Sequence, residues 1–99
     1  MLDFYIIEDQ RQKPRTPEEL GRAYAGGLDD NTFENLQKKG IVDKRFDYYS
    51  DFRWGTEMIL QIRQTIQKKK MEKDTDVQKL VILFEAAEQQ GCGLIAYGD

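Results

Sequence analysis

The sequence predicts one small α+β domain, in which an N-terminal and a C-terminal strand pair in a small sheet and three to four helices pack on it. Three observations carry this prediction. Residues 2–8 and 93–99, at the two ends of the chain, are rich in strand-forming residues. Between them, apolar residues recur at spacings of three and four, the helical period. The 99 residues suffice for one core, so we expect a single domain over 1–99.

The N-terminal strand, LDFYIIE, is followed by a polar, proline-containing loop and then by a short helix. The segment TPEEL has the signals of a helix start. Thr16 can cap the helix, Pro17 suits the first helical position, and Glu19 can complete a capping box. Gly26 and Gly27 are expected to end it. The first third of the chain therefore reads as strand, loop and helix.

Two further helices are expected in the middle of the chain. One begins near Asn31 or Thr32 and ends at Gly40, where Ile41 would contact Leu36 as in a Schellman end. A longer one is predicted over about 50–70. Its core-facing stripe, at spacings of three and four, consists of Phe52, Gly55, Ile59, Ile62 and Ile66. On this helix Trp54 would project away from the stripe, towards solvent.

A last helix and a strand complete the chain. Thr75 and Gln78 form a plausible capping box, and apolar residues at helical spacing continue until Gly91. The run LVILF could also be a strand, but the EAAEQQ that follows it favours helix. GLIAYGD is then the C-terminal strand. Because an isolated strand exposes unpaired backbone groups, we expect the two terminal strands to pair, in either direction.

Charge and composition argue against several classes of partner. Fifteen Lys and Arg against eighteen Asp and Glu give a formal charge of −3, which provides no overall field to attract nucleic-acid phosphates. No apolar run approaches the roughly 20 residues that span a bilayer. The N-terminal MLDFYIIEDQ lacks the basic region and cleavage site of a signal peptide. We therefore expect a cytoplasmic protein with no nucleic-acid or membrane partner.

Residues that usually carry catalysis are scarce. The chain has no histidine, which removes the usual general base, nucleophile activator and transition-metal ligand. Cys92 is the only cysteine, so the chain can form no disulfide, zinc cluster or redox pair of its own. Its place after a helix C-terminus disfavours a thiolate, and we expect a structural role. The sequence predicts a protein that is not an enzyme and that holds no cofactor.

Three aspartates give the one pattern that a metal could use. Asp43, Asp47 and Asp51 recur at spacings of four, which would align them on a continuous helix, and carboxylates bind hard cations. A small carboxylate-based metal-binding protein or hydrolase is therefore one alternative function. We favour a solvated acidic edge without a metal, because runs of charge usually face water.

The stretch FDYYSDFRW at 46–54 holds five aromatic rings in nine residues. Phe46 and Phe52 are natural core residues. Tyr48, Tyr49 and Trp54 also carry polar groups, and aromatic residues beside charges are typical of protein–protein hot spots. The cluster is interpreted either as part of the core or as an interface.

A short acidic chain without histidine that carries DKRFDYYSDFRW at 43–54 resembles the small bacterial immunity proteins of contact-dependent and polymorphic toxin systems. The resemblance implies a protein that binds a cognate toxin domain and blocks its active site. A basic nuclease is the natural target, because acidic groups can occupy its phosphate subsites. The predicted binding face consists of Asp43, Asp47, Tyr48, Tyr49, Asp51 and Trp54. An adaptor or oligomerising subunit is the other alternative.

Overall fold

Four strands and three α-helices make up the described part of the chain. The structure is a computed structural model that describes residues 1–14 and 17–98. Its strands are β1 (Leu2–Ile7), β2 (Tyr24–Leu28), β3 (Phe52–Trp54) and β4 (Gly93–Tyr97), and its α-helices are α1 (Asp30–Lys38), α2 (Thr56–Lys68) and α3 (Thr75–Glu88). A 3-10 helix spans Pro17–Ala23. The strands form one antiparallel sheet in the order β2-β1-β4-β3. The predicted α+β fold is confirmed.

The two terminal strands pair as predicted, and the pairing is antiparallel. Asp3 of β1 lies opposite Tyr97 of β4, and Ile7 lies opposite Gly93. Both strands also have a second partner that the sequence did not predict, because β1 pairs with β2 and β4 pairs with β3. The terminal strands are therefore the two central strands of a four-stranded sheet.

The helix predicted from TPEEL to Gly26 is wrong in its second half. The 3-10 helix stops at Ala23, and β2 follows directly. The Tyr24 ring packs on Tyr5 with centroids 5.2 Å apart, and its hydroxyl donates to the Asp3 carboxylate at 3.0 Å. Gly26 has φ 142° and lies so close to α3 that a Cβ there would approach Leu83 to 2.9 Å. Pairing with β1 therefore decides the conformation of this segment. The predicted capping box, formed by Thr16 and the Glu19 side chain, lies outside the described residues.

The helix predicted over 50–70 begins later, because its first residues form β3. Phe52 lies opposite Ala96 of β4, and Trp54 lies opposite Leu94. Side chains alternate along a strand, so Phe52 and Trp54 share the face that packs on the helices. A spacing of two between apolar residues, with Arg53 between them, is the strand period.

A residue from the loop after β1 fixes where α2 starts. Gly55 is the N-cap residue of α2 and offers no side chain. The Asp9 carboxylate takes over this role, accepting hydrogen bonds from the Thr56 N–H at 3.0 Å and from the Thr56 hydroxyl. These bonds, the hydroxyl bond foremost, lower the pKa of Asp9. The cap comes from a residue 47 positions away in the sequence.

The predicted C-terminal end of α1 and the helical state of LVILF are confirmed, whereas α1 begins slightly earlier than predicted, at Asp30 with Asp29 as its cap. The Gly40 N–H donates to the Gln37 carbonyl at 3.0 Å and the Ile41 N–H donates to the Leu36 carbonyl at 2.9 Å, which is a Schellman end with Gly40 at φ 74°. The cap of α3 is Asp74, one residue earlier than predicted. None of the helices in the described ranges is long and apolar enough to cross a membrane.

The core lies on both faces of the sheet. The face towards the helices buries residues such as Phe4, Trp54 and Leu94 against the stripes of α2 and α3. The predicted stripe residues Ile59, Ile62 and Ile66 are all buried. On the opposite face a smaller cluster packs beneath the 3-10 helix: Ile7, Leu20, Ile95 and Tyr97.

Acid should weaken the fold at the junction of α1 and α3. The Lys39 ammonium donates to Asp74 at 2.7 Å and to Asp76 at 2.9 Å. The hydrogen bond from Lys39 is the largest cause that lowers the pKa of Asp74. The hydrogen bonds from the backbone N–H groups that Asp74 caps lower it further. A lowered pKa contributes stability above the ordinary carboxyl pKa of about 4, and this stability is lost as the pH falls below it.

We therefore expect Asp74→Asn, which keeps a capping oxygen but removes the charge, to lower the melting temperature at pH 7. The difference from the parent should shrink towards pH 3, because Asp74 of the unfolded parent is then largely protonated and must lose its proton to form the ion pair with Lys39. Thermal melts at both pH values measure this. An equal difference at both would contradict a role for the charge.

Candidate functional site

The loop between α1 and β3 holds most of the predicted binding residues, and two consecutive turns build it. The Asp43 carboxylate accepts from the Arg45 N–H at 2.8 Å, and the Phe46 N–H closes the turn on the Asp43 carbonyl. The Asp47 carboxylate accepts from the Tyr49 N–H at 2.9 Å and from the Ser50 hydroxyl at 3.3 Å. Aspartate at the first position of a turn holds the backbone in this way. We call residues 43–51 the acidic loop.

The spacing of four between the aspartates is therefore the length of a turn rather than a helical repeat. Asp43, Asp47 and Asp51 do not lie on a continuous helix, so the alignment that such a helix would have given them is absent. Asp43 and Asp47 instead accept hydrogen bonds from the backbone N–H groups two residues later, and Asp51 accepts one from the Gly98 N–H. Among residues 1–14 and 17–98, no group of three or more His, Cys, Asp or Glu side chains is placed to hold a metal ion. The metal-binding alternative depended on the alignment of these three aspartates, which the structure does not show.

The acidic loop is fixed to the rest of the domain at both ends. The side-chain amide of Gln37 on α1 donates to the Phe46 carbonyl at 2.7 Å and to the Asp43 carbonyl at 3.3 Å. At the other end, the Asp51 carboxylate accepts from the Gly98 N–H at 3.1 Å and from the Lys13 ammonium at 2.9 Å. Asp51 thus joins the loop to the end of β4 and is partly neutralised by Lys13. The hydrogen bond between Lys13 and Asp51 is the main cause of the raised pKa of Lys13.

Gly98 shows how closely the chain packs here. A Cβ added at Gly98 would lie 2.5 Å from the carbonyl carbon of Tyr49 and 2.7 Å from the Ser50 nitrogen. Only glycine allows this approach without moving one of the two backbones. The acidic loop is therefore held rigidly, although it contains no regular secondary structure.

The aromatic side chains of 46–54 differ in how far they are exposed to solvent. Phe46 is half-buried and packs on Trp54 with ring centroids 5.7 Å apart. Tyr48, also half-buried, contacts Phe33 of α1 at 5.9 Å. Tyr49 packs edge-on against Tyr48 at 5.1 Å and is 61% exposed. The stretch is thus both core and surface, and the exposed part is Tyr49.

Trp54 does not belong to the predicted face. Its side chain is 1% exposed and contacts the rings of Phe4 at 5.3 Å and Phe84 at 6.0 Å. The prediction placed Trp54 on a helix, where it would lie off the apolar stripe. On β3 it lies on the same face as Phe52, directly under the helices. The remaining members, Asp43, Asp47, Tyr48, Tyr49 and Asp51, lie together on the acidic loop.

A pocket of about 360 Å³ lies between α1 and the acidic loop. Its lining residues are Asp30, Phe33, Glu34, Gln37, Lys44, Phe46, Asp47 and Tyr48. Three carboxylates and one ammonium give the lining a negative balance, and three aromatic rings supply an apolar wall. Such a pocket suits the aliphatic stem and charged head of a lysine or arginine side chain. We call it the acidic pocket.

The sequence indicated the loop side of the acidic pocket but not the helix side. Asp30, Glu34 and Gln37 are spaced by four and three, which places them on one face of α1. This pattern could have shown a polar face, but it could not show that the face meets the acidic loop. The contact arises because Gln37 binds the turns and Phe33 packs on Tyr48.

Comparisons with protein-family models, with curated proteins and with solved structures find no match to this chain.

Proposed function

We propose that the protein is a non-enzymatic cytoplasmic binding module that neutralises a cognate toxin domain, as the immunity proteins that it resembles do. One observation carries the proposal: the exposed ring of Tyr49 stands beside an acidic pocket on a loop that is already rigid. A preordered loop loses little conformational entropy on binding. A tyrosine gives a large contact area with few rotatable bonds, as in binding surfaces generally.

The charge of this surface indicates a basic partner. Asp30, Glu34 and Asp47 surround the acidic pocket, with Lys44 as the one basic lining residue and with Lys38 paired to Glu34 at 3.1 Å. A nuclease domain binds the phosphates of its substrate through lysine and arginine. Carboxylates that occupy those phosphate positions would block the site, and opposite charges would speed the encounter. A basic nuclease domain is therefore the target that we propose.

Co-expression with the domain encoded beside this gene tests the proposal. We expect the parent protein to restore growth of cells that produce the neighbouring domain. The double variant Asp47→Asn with Glu34→Gln should protect less, and its association rate with the purified domain should fall about 10-fold at low salt. Asparagine still accepts the Tyr49 N–H, so the turn is kept while the charge is removed.

A matched control removes two exposed charges elsewhere on the molecule. Glu8→Gln with Glu18→Gln makes the same change in net charge away from the acidic pocket and should protect as well as the parent. If both double variants protect cells equally poorly, the net charge of the protein, rather than the charge of this surface, determines protection. If the neighbouring domain does not bind the parent protein at all, the proposed function is wrong.

A further inference from the structure

The surface between α2 and α3 carries a groove that the proposed function does not use. Its larger part is a cavity of about 560 Å³ between Ile66 of α2 and Val81 of α3. A smaller depression of about 280 Å³ lies nearer the start of α2, beside Leu60. Arg63 lines the first cavity and its ion-pair partner Glu88 lines the second, so the two are neighbours. We call both together the α2–α3 groove.

The α2–α3 groove is elongated. On α2 its lining runs from Thr56 to Gln67, which is about 16 Å at 1.5 Å per residue. The start of α2 shares a cavity with Glu88, near the end of α3, and Gln67 shares one with Gln78, near the start of α3. The two helices therefore run antiparallel along the groove. A groove of three helical turns between two helices accepts a third helix, which fills it with apolar side chains at spacings of three and four.

Each of the two cavities has a large apolar side chain in water. Leu60 borders the smaller one and is 55% exposed, and Ile82 borders the larger one and is 63% exposed. Val81, beside Ile82, is only half-buried. A single exposed leucine is ordinary, but two such side chains along one groove form a patch that is typical of interaction surfaces.

Carboxylates outnumber basic groups in the lining of the α2–α3 groove. The three carboxylates are those of Glu72, Glu85 and Glu88. Arg63 is the one basic residue among the described residues of the lining, and it already donates two hydrogen bonds of 2.6 Å to Glu88. The four lysines of 68–73 line neither cavity, and the Lys69 ammonium lies against Gly40, after α1. A partner in the groove therefore meets the carboxylates of Glu72 and Glu85.

We propose that the α2–α3 groove binds a basic amphipathic helix of a partner protein. Leucine-sized side chains on one face of that helix cover Leu60 and Ile82, and the removal of this apolar surface from water favours binding. Lysine or arginine beside that face pairs with Glu72 and Glu85. A second copy of this chain that presented its own groove would instead bring like charges together. The groove shares no lining residue with the acidic pocket, so this proposal and the proposed function can fail independently.

Two synthetic peptides test the proposal. Both are helices of about 14 residues, or four turns, with leucine at spacings of three and four on one face. One carries lysine at the other positions and one carries glutamate. Fluorescence anisotropy of the labelled peptides should show that the parent protein binds the lysine peptide at least about 10-fold more tightly than the glutamate peptide.

Removal of the two exposed apolar side chains should weaken this binding. Leu60→Ser with Ile82→Ser should bind the lysine peptide at least about 10-fold more weakly than the parent. Tyr24→Ser is the control, because it removes an exposed ring from β2, away from the groove, and it should bind as the parent does. Circular dichroism checks that each variant is folded.

A reversal of charge tests the role of the carboxylates. Glu72→Lys with Glu85→Lys should bind the glutamate peptide more tightly than the lysine peptide. Glu8→Lys with Glu18→Lys makes the same change in net charge at exposed residues that line neither cavity. This control should keep the preference of the parent for the lysine peptide.

Three results would overturn the proposal. In the first, the parent protein binds the lysine peptide no more tightly than the glutamate peptide. In the second, the lysine peptide binds tightly, but Leu60→Ser with Ile82→Ser leaves the affinity unchanged. In the third, the parent protein sediments as a dimer and the same double variant as a monomer, because a second copy would then occupy the groove.

Discussion

Trp54→Ala is expected to lower the free energy of unfolding by about 3 to 5 kcal/mol, the usual cost of truncating a fully buried large aromatic residue. Trp54 is 1% exposed and contacts Phe4, Phe46 and Phe84. Small domains have a free energy of unfolding of only about 5 to 15 kcal/mol. This one substitution therefore removes a large share of that free energy. Chemical denaturation followed by circular dichroism measures the loss.

Two further variants test the physical reason for this expected loss. Phe52→Ala should cost less than Trp54→Ala, because Phe52 is half-buried. Trp54→Phe should cost much less, since it keeps a ring and removes the indole N–H, which is buried without a hydrogen-bond partner among the described residues. The sequence alone predicted the opposite order for Trp54 and Phe52. A Trp54→Ala protein that melts like the parent would contradict the placement of Trp54 on β3.

Removal of β4 should abolish folding altogether. All five residues of Gly93–Tyr97 are buried, and the strand pairs with β1 on one side and β3 on the other. A chain that ends after Gly93 would leave both neighbours with unpaired buried backbone groups. We expect no cooperative melt and a circular dichroism spectrum without the native helix content.

A shorter truncation provides the control for this deletion. A chain that ends after Tyr97 keeps β4 whole and loses the hydrogen bond from Gly98 to Asp51. It should melt cooperatively at a somewhat lower temperature than the parent. If the chain that ends after Gly93 also melts cooperatively near the parent temperature, the central position of β4 is wrong.

Elements with strong local signals could be predicted from the sequence, and those that depend on distant partners could not. Strand β1, the Schellman end of α1 and the helix α3 follow from apolar period and capping residues alone. Strand β2 contains YAGGL, whose glycines disfavour a strand, and it exists because β1 pairs with it. Strand β3 has three residues, too few to separate a period of two from a helical spacing.

The same limit applied to the candidate site. The aspartates of the acidic loop were recognisable, but a spacing of four fits both a helix and two successive turns. The choice between them depends on Gln37 and Gly98, which contact the acidic loop from α1 and from the end of β4. Trp54 was misplaced for a related reason, since the error in β3 moved it from the core to the surface. The position of Tyr49 in the acidic loop did not depend on these errors.

The dissociation constant of Tyr49→Ala for the neighbouring domain tests the central claim most directly. Tyr24→Ala is its control, because Tyr24 is also a largely exposed tyrosine, 48% against 61% for Tyr49, on the opposite edge of the sheet from β3. We predict that Tyr49→Ala binds about 30-fold more weakly than the parent, which is about 2 kcal/mol and the scale of an interface hot spot. Tyr24→Ala should bind within about twofold of the parent. If Tyr49→Ala binds as tightly as the parent, the acidic loop is not the binding surface.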